Sequence, residues 1–300
     1  MENTKKKQTI PSAFSGINTT SELRLYLDDS INRLKSSKYI HHYTTLENVV
    51  KMICGGSWHL GDAAKMNDKL EYENGDEQRW NNLFFSCFMC EDKESIGMWS
   101  MYAQPWEKGV KISLPSKAVR DWIYSAKELW EISVKDYTPT GRTIPLDNDI
   151  VSLRLSAVAY SNADSMQEIT EEKLMWSNQT NRNIHNAVRI PELTGYVKDM
   201  AWAYEKEIRV KAEFHDAGGI QRVAVPLINE IVSQMIITAS PLFEGDLQRE
   251  LEKSVANHMG ANNPYSFPNS MKIDHSIFTH RLNIKTICQN CQIKANYLKK

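Results

Sequence analysis

No apolar run in the 300 residues approaches the ~20 needed to cross a bilayer. The first residues, Met1-Glu-Asn-Thr-Lys-Lys-Lys, lack the apolar segment of a secretory leader. A cytoplasmic protein with no membrane partner is therefore expected. Neither sign of charge is in excess. With 36 Lys and Arg against 37 Asp and Glu the net charge is -1, which excludes a protein that holds nucleic acid mainly by bulk basicity. A local basic groove stays open. Cysteine is scarce: five residues, an odd number, do not build a disulfide framework. Four fall as the C-x-x-C pairs Cys87/Cys90 and Cys288/Cys291, a spacing that invites zinc. The first pair lies in a strand-like run, where positions three apart face opposite sides, so reduced structural thiols and no metal are expected. Also missing are G-x-G-x-x-G, G-K-[ST], H-E-x-x-H and G-x-S-x-G, so no dinucleotide fingerprint, P-loop, zincin or hydrolase elbow is read. There is no internal repeat and no low-complexity tract.

What is present is a chain of short strands with interspersed helices and no regular βαβ rhythm, which reads as α+β with mixed or antiparallel sheets. Residues 1–37 form a polar lead-in and an amphipathic helix, opened by Thr19-x-x-Glu22 and faced by Leu23, Leu27, Ile31 and Leu34. Residues 38–287 are read as a single domain carrying a polar insertion at 162–195, and 288–300 as a tail. Lys38–Tyr43 predicts a strand that runs into the capping box Thr44-x-x-Glu47 of a helix ending at Gly55-Gly56. Further strands are expected at Ser57–Leu60, Leu83–Met89, Gly109–Leu114, Trp130–Val134, Leu153–Ser161, Gln221–Leu227, Ile231–Ala239 and within Lys272–Ile287. Helices are expected after Ser95, after Pro115 and over Glu244–His258, with Thr138–Asp149 an irregular excursion.

Three places carry chemistry. His42, Tyr43 and Thr44 sit where a strand hands over to a helix N-terminus, a place whose free N–H groups and dipole suit a phosphate or carboxylate. Asn67 or Asp68, with Glu71, offers a polar turn that equally starts a helix. Trp202–Val210 reads as one strand with Glu205, Glu207 and Arg209 along one face and Tyr204, Ile208 and Val210 on the core side. Two carboxylates and a guanidinium on one face are either a solvated ladder or a site.

Taken in order, His42-Tyr43-Thr44, Asn67-Asp68-x-x-Glu71, Met98-Trp99-x-x-Tyr102, Lys108-Gly109-Val110, Lys198 and Trp202-x-Tyr204-Glu205-x-Glu207-x-Arg209 resemble a widespread bacterial family of uncharacterised domains over about residues 38–287. Lys69 stands where that family usually has proline, and Ser100-Met101 is less typical of it. The family in turn resembles the ADP-ribosyltransferase superfamily, especially the toxins that modify nucleic acid.

The resemblance implies a fold of ADP-ribosyltransferase-like split sheets with flanking helices, and NAD as co-substrate. It implies that His42 grips the NAD ribose, that Tyr43 or Tyr102 stacks on nicotinamide, and that Glu207 is catalytic with Glu205 its partner. Arg209 then either restrains Glu207 or meets the pyrophosphate, and the helix start at Thr44, with Asn67 nearby in the set, suits the cofactor. The resemblance further implies an acceptor that is DNA or RNA, otherwise protein, and, for a toxin or phage-defence effector of this class, a neutralising antitoxin as partner. The chemistry is coherent: breaking the nicotinamide–ribose bond builds positive charge on the sugar, which a held carboxylate stabilises, while a second carboxylate deprotonates the nucleophile. Two other classes stay open. One is a non-catalytic module binding a nucleotide or partner in the same groove; the other is a nuclease using Glu205, Glu207 and Asp68 around a metal, a thin ligand set.

Overall fold

The computed structural model describes Leu25 and residues 37–66, 80–147, 149–161, 195–259 and 271–279. The N-terminal helix apart from Leu25, Asn67 with Asp68 and Glu71, insertion residues 162–194, and Cys288, Cys291 and the tail lie outside the described residues.

The first half follows the alternation of the sequence. Strand β1 (Tyr39–Thr45) leads into helix α1 (Leu46–Cys54), then β2 (Ser57–Asp62), β3 (Leu83–Met89), α2 (Ile96–Tyr102), β4 (Gly109–Pro115), α3 (Ser116–Ser125), β5 (Glu128–Ile132) and β6 (Pro139–Pro145). The cap of α1 falls one residue later than expected. Thr45 caps Asn48 N–H, while Glu47 pairs with Lys51 on the exposed face. Ser95 caps α2 as expected, accepting from Met98 N–H. Strand β6 occupies the stretch read as an irregular excursion; its Thr140, Gly141, Arg142 and Thr143 are exposed, so it shows little apolar alternation.

The second half departs further. The stretch read as one strand over Leu153–Ser161 is two, β7 (Val151–Ala157) and β8 (Ala159–Ser161), in different sheets. After β9 (Val197–Asp199) comes a 3₁₀ helix, Met200–Glu205, and only then β10 (Glu207–Phe214). The expected strand Trp202–Val210 is thus corrected: its first four residues are helical, Lys206 turns the chain in the left-handed region (φ 43°), and extended backbone starts at Glu207. Asp199 explains the change, because its side chain caps Ala201 N–H and nucleates the turn. Tyr204, assigned to the core, is 40% exposed. Then follow β11 (Val223–Pro226), the short helix α4 (Asn229–Val232), which takes the first residues of the strand expected over Ile231–Ala239, then β12 (Ile236–Ala239), α5 (Leu247–Met259) and β13 (Lys272–His275).

The architecture is mixed α and β: a mostly antiparallel sheet with flanking helices. Eleven described strands join it, and only β12–β13 pairs in parallel; β8–β9 form a separate parallel pair. Strand β3 is the branch point. One edge pairs with β10 along its whole length, from Leu83↔Glu213 to Met89↔Glu207. The other edge pairs with β1 only at Met89↔His41 and with β2 only at Phe84 and Phe85. Between those points β1 and β2 diverge, and side chains bond there instead: Trp58 Nε1 donates to Ser86 Oγ at 2.7 Å, and His42 Nδ1 to the Cys87 carbonyl at 2.8 Å. Backbone that loses its ladder partner must be satisfied this way.

The main core lies under α1, α3 and α5, with Trp58 stacked on Phe88 and edge-on to Trp122. Each such ring contributes about 1.5–3 kcal/mol by leaving water. A smaller cluster, Tyr43, Met89, Met98, Trp99, Ala103 and Trp106, fixes α2 against β1. Gly109 is required there, since a Cβ would collide with the Ala103 carbonyl. Among the described residues no helix is long and apolar enough to cross a membrane.

Candidate active site

The left-handed turn at Lys206 places Glu205 and Glu207 at the ends of two different elements, yet both side chains reach the same ammonium. Lys198, on β9, donates to Glu205 Oε2 at 2.6 Å and to Glu207 Oε2 at 3.2 Å. Arg209 holds Glu207 from behind, Nε to Oε1 at 2.8 Å and a terminal nitrogen to Oε2 at 3.2 Å. Its other terminal nitrogen donates to the Gly195 carbonyl, and its guanidinium lies 4.3 Å from the centre of the Phe85 ring. The Glu207 N–H donates to the Tyr160 hydroxyl. From α2, the Tyr102 hydroxyl donates to Glu205 Oε1. All four carboxylate oxygens are engaged, and Lys198, Glu205, Glu207 and Arg209 are buried. Charges so deep persist only because they neutralise one another.

The two carboxyls differ electrostatically. Burial opposes ionisation of Glu207, but Arg209 and Lys198 outweigh it and hold the group down to about 2. Burial raises Glu205; Lys198 pulls it back, and the neighbouring Glu207 pushes it up again. A pair of acids set apart by their surroundings suits two roles, one permanently anionic and one exchanging a proton. Burial and the Glu205 charge raise Tyr102, so its hydroxyl stays a donor.

These groups face a cavity of about 140 Å³ walled by His42, Tyr43, Phe88, Met98 and Tyr102 and closed at the back by Lys198, Glu205 and Glu207. Lys65, Met66 and Cys87 complete its lining. Burial lowers His42, leaving it neutral; since Nδ1 donates to Cys87, Nε2 is an acceptor. Tyr43 is fixed by Trp99, edge-on at 4.9 Å, and its hydroxyl accepts from Ser95 N–H.

The structure therefore brings His42, Tyr43, Tyr102, Glu205 and Glu207 to one cavity, although they come from four elements. It does not bring Thr44 there: that hydroxyl is buried and accepts from the Asn48 side chain. Arg209 stands behind Glu207, fully buried, in the restraining position rather than on the cavity wall. Asn67 lies outside the described residues. Lys198 stood in the motif set without a role, and Cys87 was taken as a structural thiol; both line the cavity. Lys198, Glu205 and Glu207 lie on three successive elements, a strand, a 3₁₀ helix and another strand, so no single helix or strand period relates them, and motif order alone set Lys198 beside the two acids. Among the described residues no group of three or more His, Cys, Asp or Glu is placed to hold a metal.

Compared with known proteins, residues 98–210 match the model of a family described as a protein of unknown function, DUF2971. That segment runs from Met98 to Val210 and includes Tyr102, Lys198, Glu205, Glu207 and Arg209. No curated protein matches the sequence. Among solved structures, the chain is similar to Thermus sp. 2.9 DarT in complex with ADP-ribosylated ssDNA, at 11% identity and TM-score 0.33, covering 82% of this chain and 96% of that one. It is likewise similar to Thermus sp. 2.9 DarT in complex with carba-NAD+ (11% identity, TM-score 0.30, 81% and 97% covered). The complex of the same DarT with NAD+ also matches (9% identity, TM-score 0.32, 80% and 95% covered).

Proposed function

We propose that the protein is an NAD-dependent ADP-ribosyltransferase whose catalytic unit is the single domain 38–287, with the sheet parting between β1 and β2 to make its cleft. The observation that carries the reading is the convergence of His42, Tyr43 and Tyr102 with a split pair of carboxyls, Glu205 and Glu207, on one cavity. The residues fit the group. A cavity of about 140 Å³ suits one aromatic ring, since a void of ~150 Å³ accommodates benzene, and its walls are aromatic and thioether side chains. The rest of a dinucleotide would lie beyond this cavity.

Bound there, NAD supplies an ADP-ribosyl group whose transfer separates nicotinamide from the ribose. Tyr43 or Tyr102 packs on the nicotinamide ring, and His42 Nε2 accepts from a ribose hydroxyl. Glu207, anionic at all working pH, stabilises the positive charge that develops on the sugar; Arg209 fixes its orientation. Glu205 takes the proton of the incoming nucleophile. The motif resemblance to toxins that modify nucleic acid makes DNA or RNA the first acceptors to offer, and protein the next.

A second reading, a non-catalytic nucleotide-binding module, is favoured by one observation: every oxygen of both carboxylates already has a partner. One experiment separates them. Purified protein is given labelled NAD with DNA, RNA or protein acceptors, and nicotinamide release and label transfer are followed beside calorimetry. Release that Glu207→Gln abolishes supports the transferase. Binding of NAD without release supports the module, and transfer undiminished in Glu207→Gln removes that residue from the role.

A further inference from the structure

We propose that Lys198 is the positioning residue of this site and acts through Glu205, keeping that carboxylate charged and aimed into the cavity. The inference rests on the transferase reading for its catalytic consequence, but not for its structural content. Lys198 is 4% exposed, and an ammonium is not buried without compensation. Its Nζ lies nearer Glu205, 2.6 Å, than Glu207, 3.2 Å. The two acids depend on it unequally. Glu207 keeps Arg209 on both oxygens whatever happens at Lys198. Among the described residues, Glu205 has Lys198 as the cation on Oε2 and the neutral Tyr102 hydroxyl on Oε1, a donor that cannot balance a charge.

The groups facing Glu205 from the surrounding elements can be followed in turn. Tyr102 comes from α2, Glu207 with Arg209 from β10, Lys198 from β9, and Tyr204 from its own turn. Of these Lys198 is the near cation, and Glu207 is a fixed anion that opposes a second negative charge. Without Lys198, Glu205 beside Glu207 takes up a proton and loses its capacity to accept one from a nucleophile. The Trp202 ring, its centre 4.8 Å from Nζ, gives the ammonium a further favourable contact at this station.

The test uses the full chain as Lys198→Met and Lys198→Arg. Carboxyl carbon NMR of glutamate-labelled protein, assigned with Glu205→Gln and Glu207→Gln, follows both acids against pH without any turnover. Lys198→Met should move the Glu205 midpoint upward and leave Glu207 low; Lys198→Arg should restore most of the wild-type curve. A Glu205 midpoint that does not move in Lys198→Met, with the fold retained by circular dichroism, overturns the proposal. If Lys198→Met does not fold, Lys198→Arg decides alone: a Glu205 curve close to wild type supports the assignment, and one displaced upward as though no cation were present overturns it. In the activity assay, loss of the base should cost Lys198→Met about 10²-fold in kcat near pH 7 with KM for NAD little changed. A wild-type protein that releases no nicotinamide defeats the transferase reading, while the carboxyl titration still judges Lys198.

Discussion

Arg209 and Glu207, two positions apart on β10, face the same way and form a two-point ion pair in which the guanidinium has no exposure to solvent. Such a pair contributes less to stability than its Coulomb energy suggests, because both ions lost their hydration. Breaking it from one side is another matter. Arg209→Met leaves Glu207 buried with Lys198 as its remaining cation, and about 3–5 kcal/mol of stability should be lost. Urea unfolding checks this; a loss under about 1 kcal/mol would mean that water reaches the site when the arginine is gone.

Gly195 supports the same arginine by a route that only the backbone reveals. Its φ is +79°, its carbonyl accepts from Arg209, and an added Cβ would run into the Phe85 ring. Gly195→Ala should therefore displace Phe85 and loosen Arg209, at a cost of about 2 kcal/mol or more from strain and clash together. The alanine variant's unfolding midpoint is the measurement, and parity with wild type would count against the packing described.

Acid should weaken the fold in two windows. His41 is lowered to about 4 from the ordinary 6.5, first by burial and then by Lys111, and His59 to about 4 by burial, Arg222 and Lys51. Both resist a proton that the unfolded chain accepts, so their contribution is full above pH 6.5 and is lost as pH falls toward about 4. Glu207, lowered to about 2 from 4.5, contributes above pH 4.5 and loses that contribution between 4.5 and about 2. Glu205 runs the other way: its raised value favours the fold at low pH and disfavours it as pH rises through that value. Urea midpoints measured through both windows should fall stepwise with acid, and His41→Asn should flatten the upper step, by roughly 1–3 kcal/mol.

Tyr102→Phe separates ring from hydroxyl. The variant keeps the aromatic wall but removes the donor to Glu205 Oε1, worth about 1–3 kcal/mol where the acceptor is charged and buried. NAD affinity should stay within about threefold, while nicotinamide release falls about tenfold or more through a less well-aimed Glu205. Loss of binding with turnover per bound NAD intact would reverse those roles.

The strands and helices legible in the sequence are those whose apolar residues follow a simple period. Strand β4 shows Val110, Ile112 and Leu114 alternating toward the core, and α3 shows Val119, Trp122 and Ile123 on one side. Strand β6 was missed because it is largely exposed, and α4 because four residues are too few to show a helical period. In the site, His42 and Tyr43 are legible from the strand-to-helix junction, Glu205 and Glu207 from the charged run, and Tyr102 from motif order alone. Glu205 and Glu207 do not share a strand as their alternation predicts, yet both face one cavity.

Residue types and local order were thus set by the chain itself: Asp199 caps a turn, Glu207 and Arg209 share a strand face, and Ser95 starts the helix that carries Tyr102. The electrostatics of the site were decided by tertiary structure. Glu207 is anionic because Arg209 and Lys198 meet it out of water, and Glu205 is raised because burial there outweighs one shared ammonium. That balance depends on β9 bringing Lys198 to both carboxylates and on the left-handed turn at Lys206. Both are long-range or strained features, and neither leaves a period in the sequence, because charge burial is a property of the assembled surroundings and not of the neighbours along the chain.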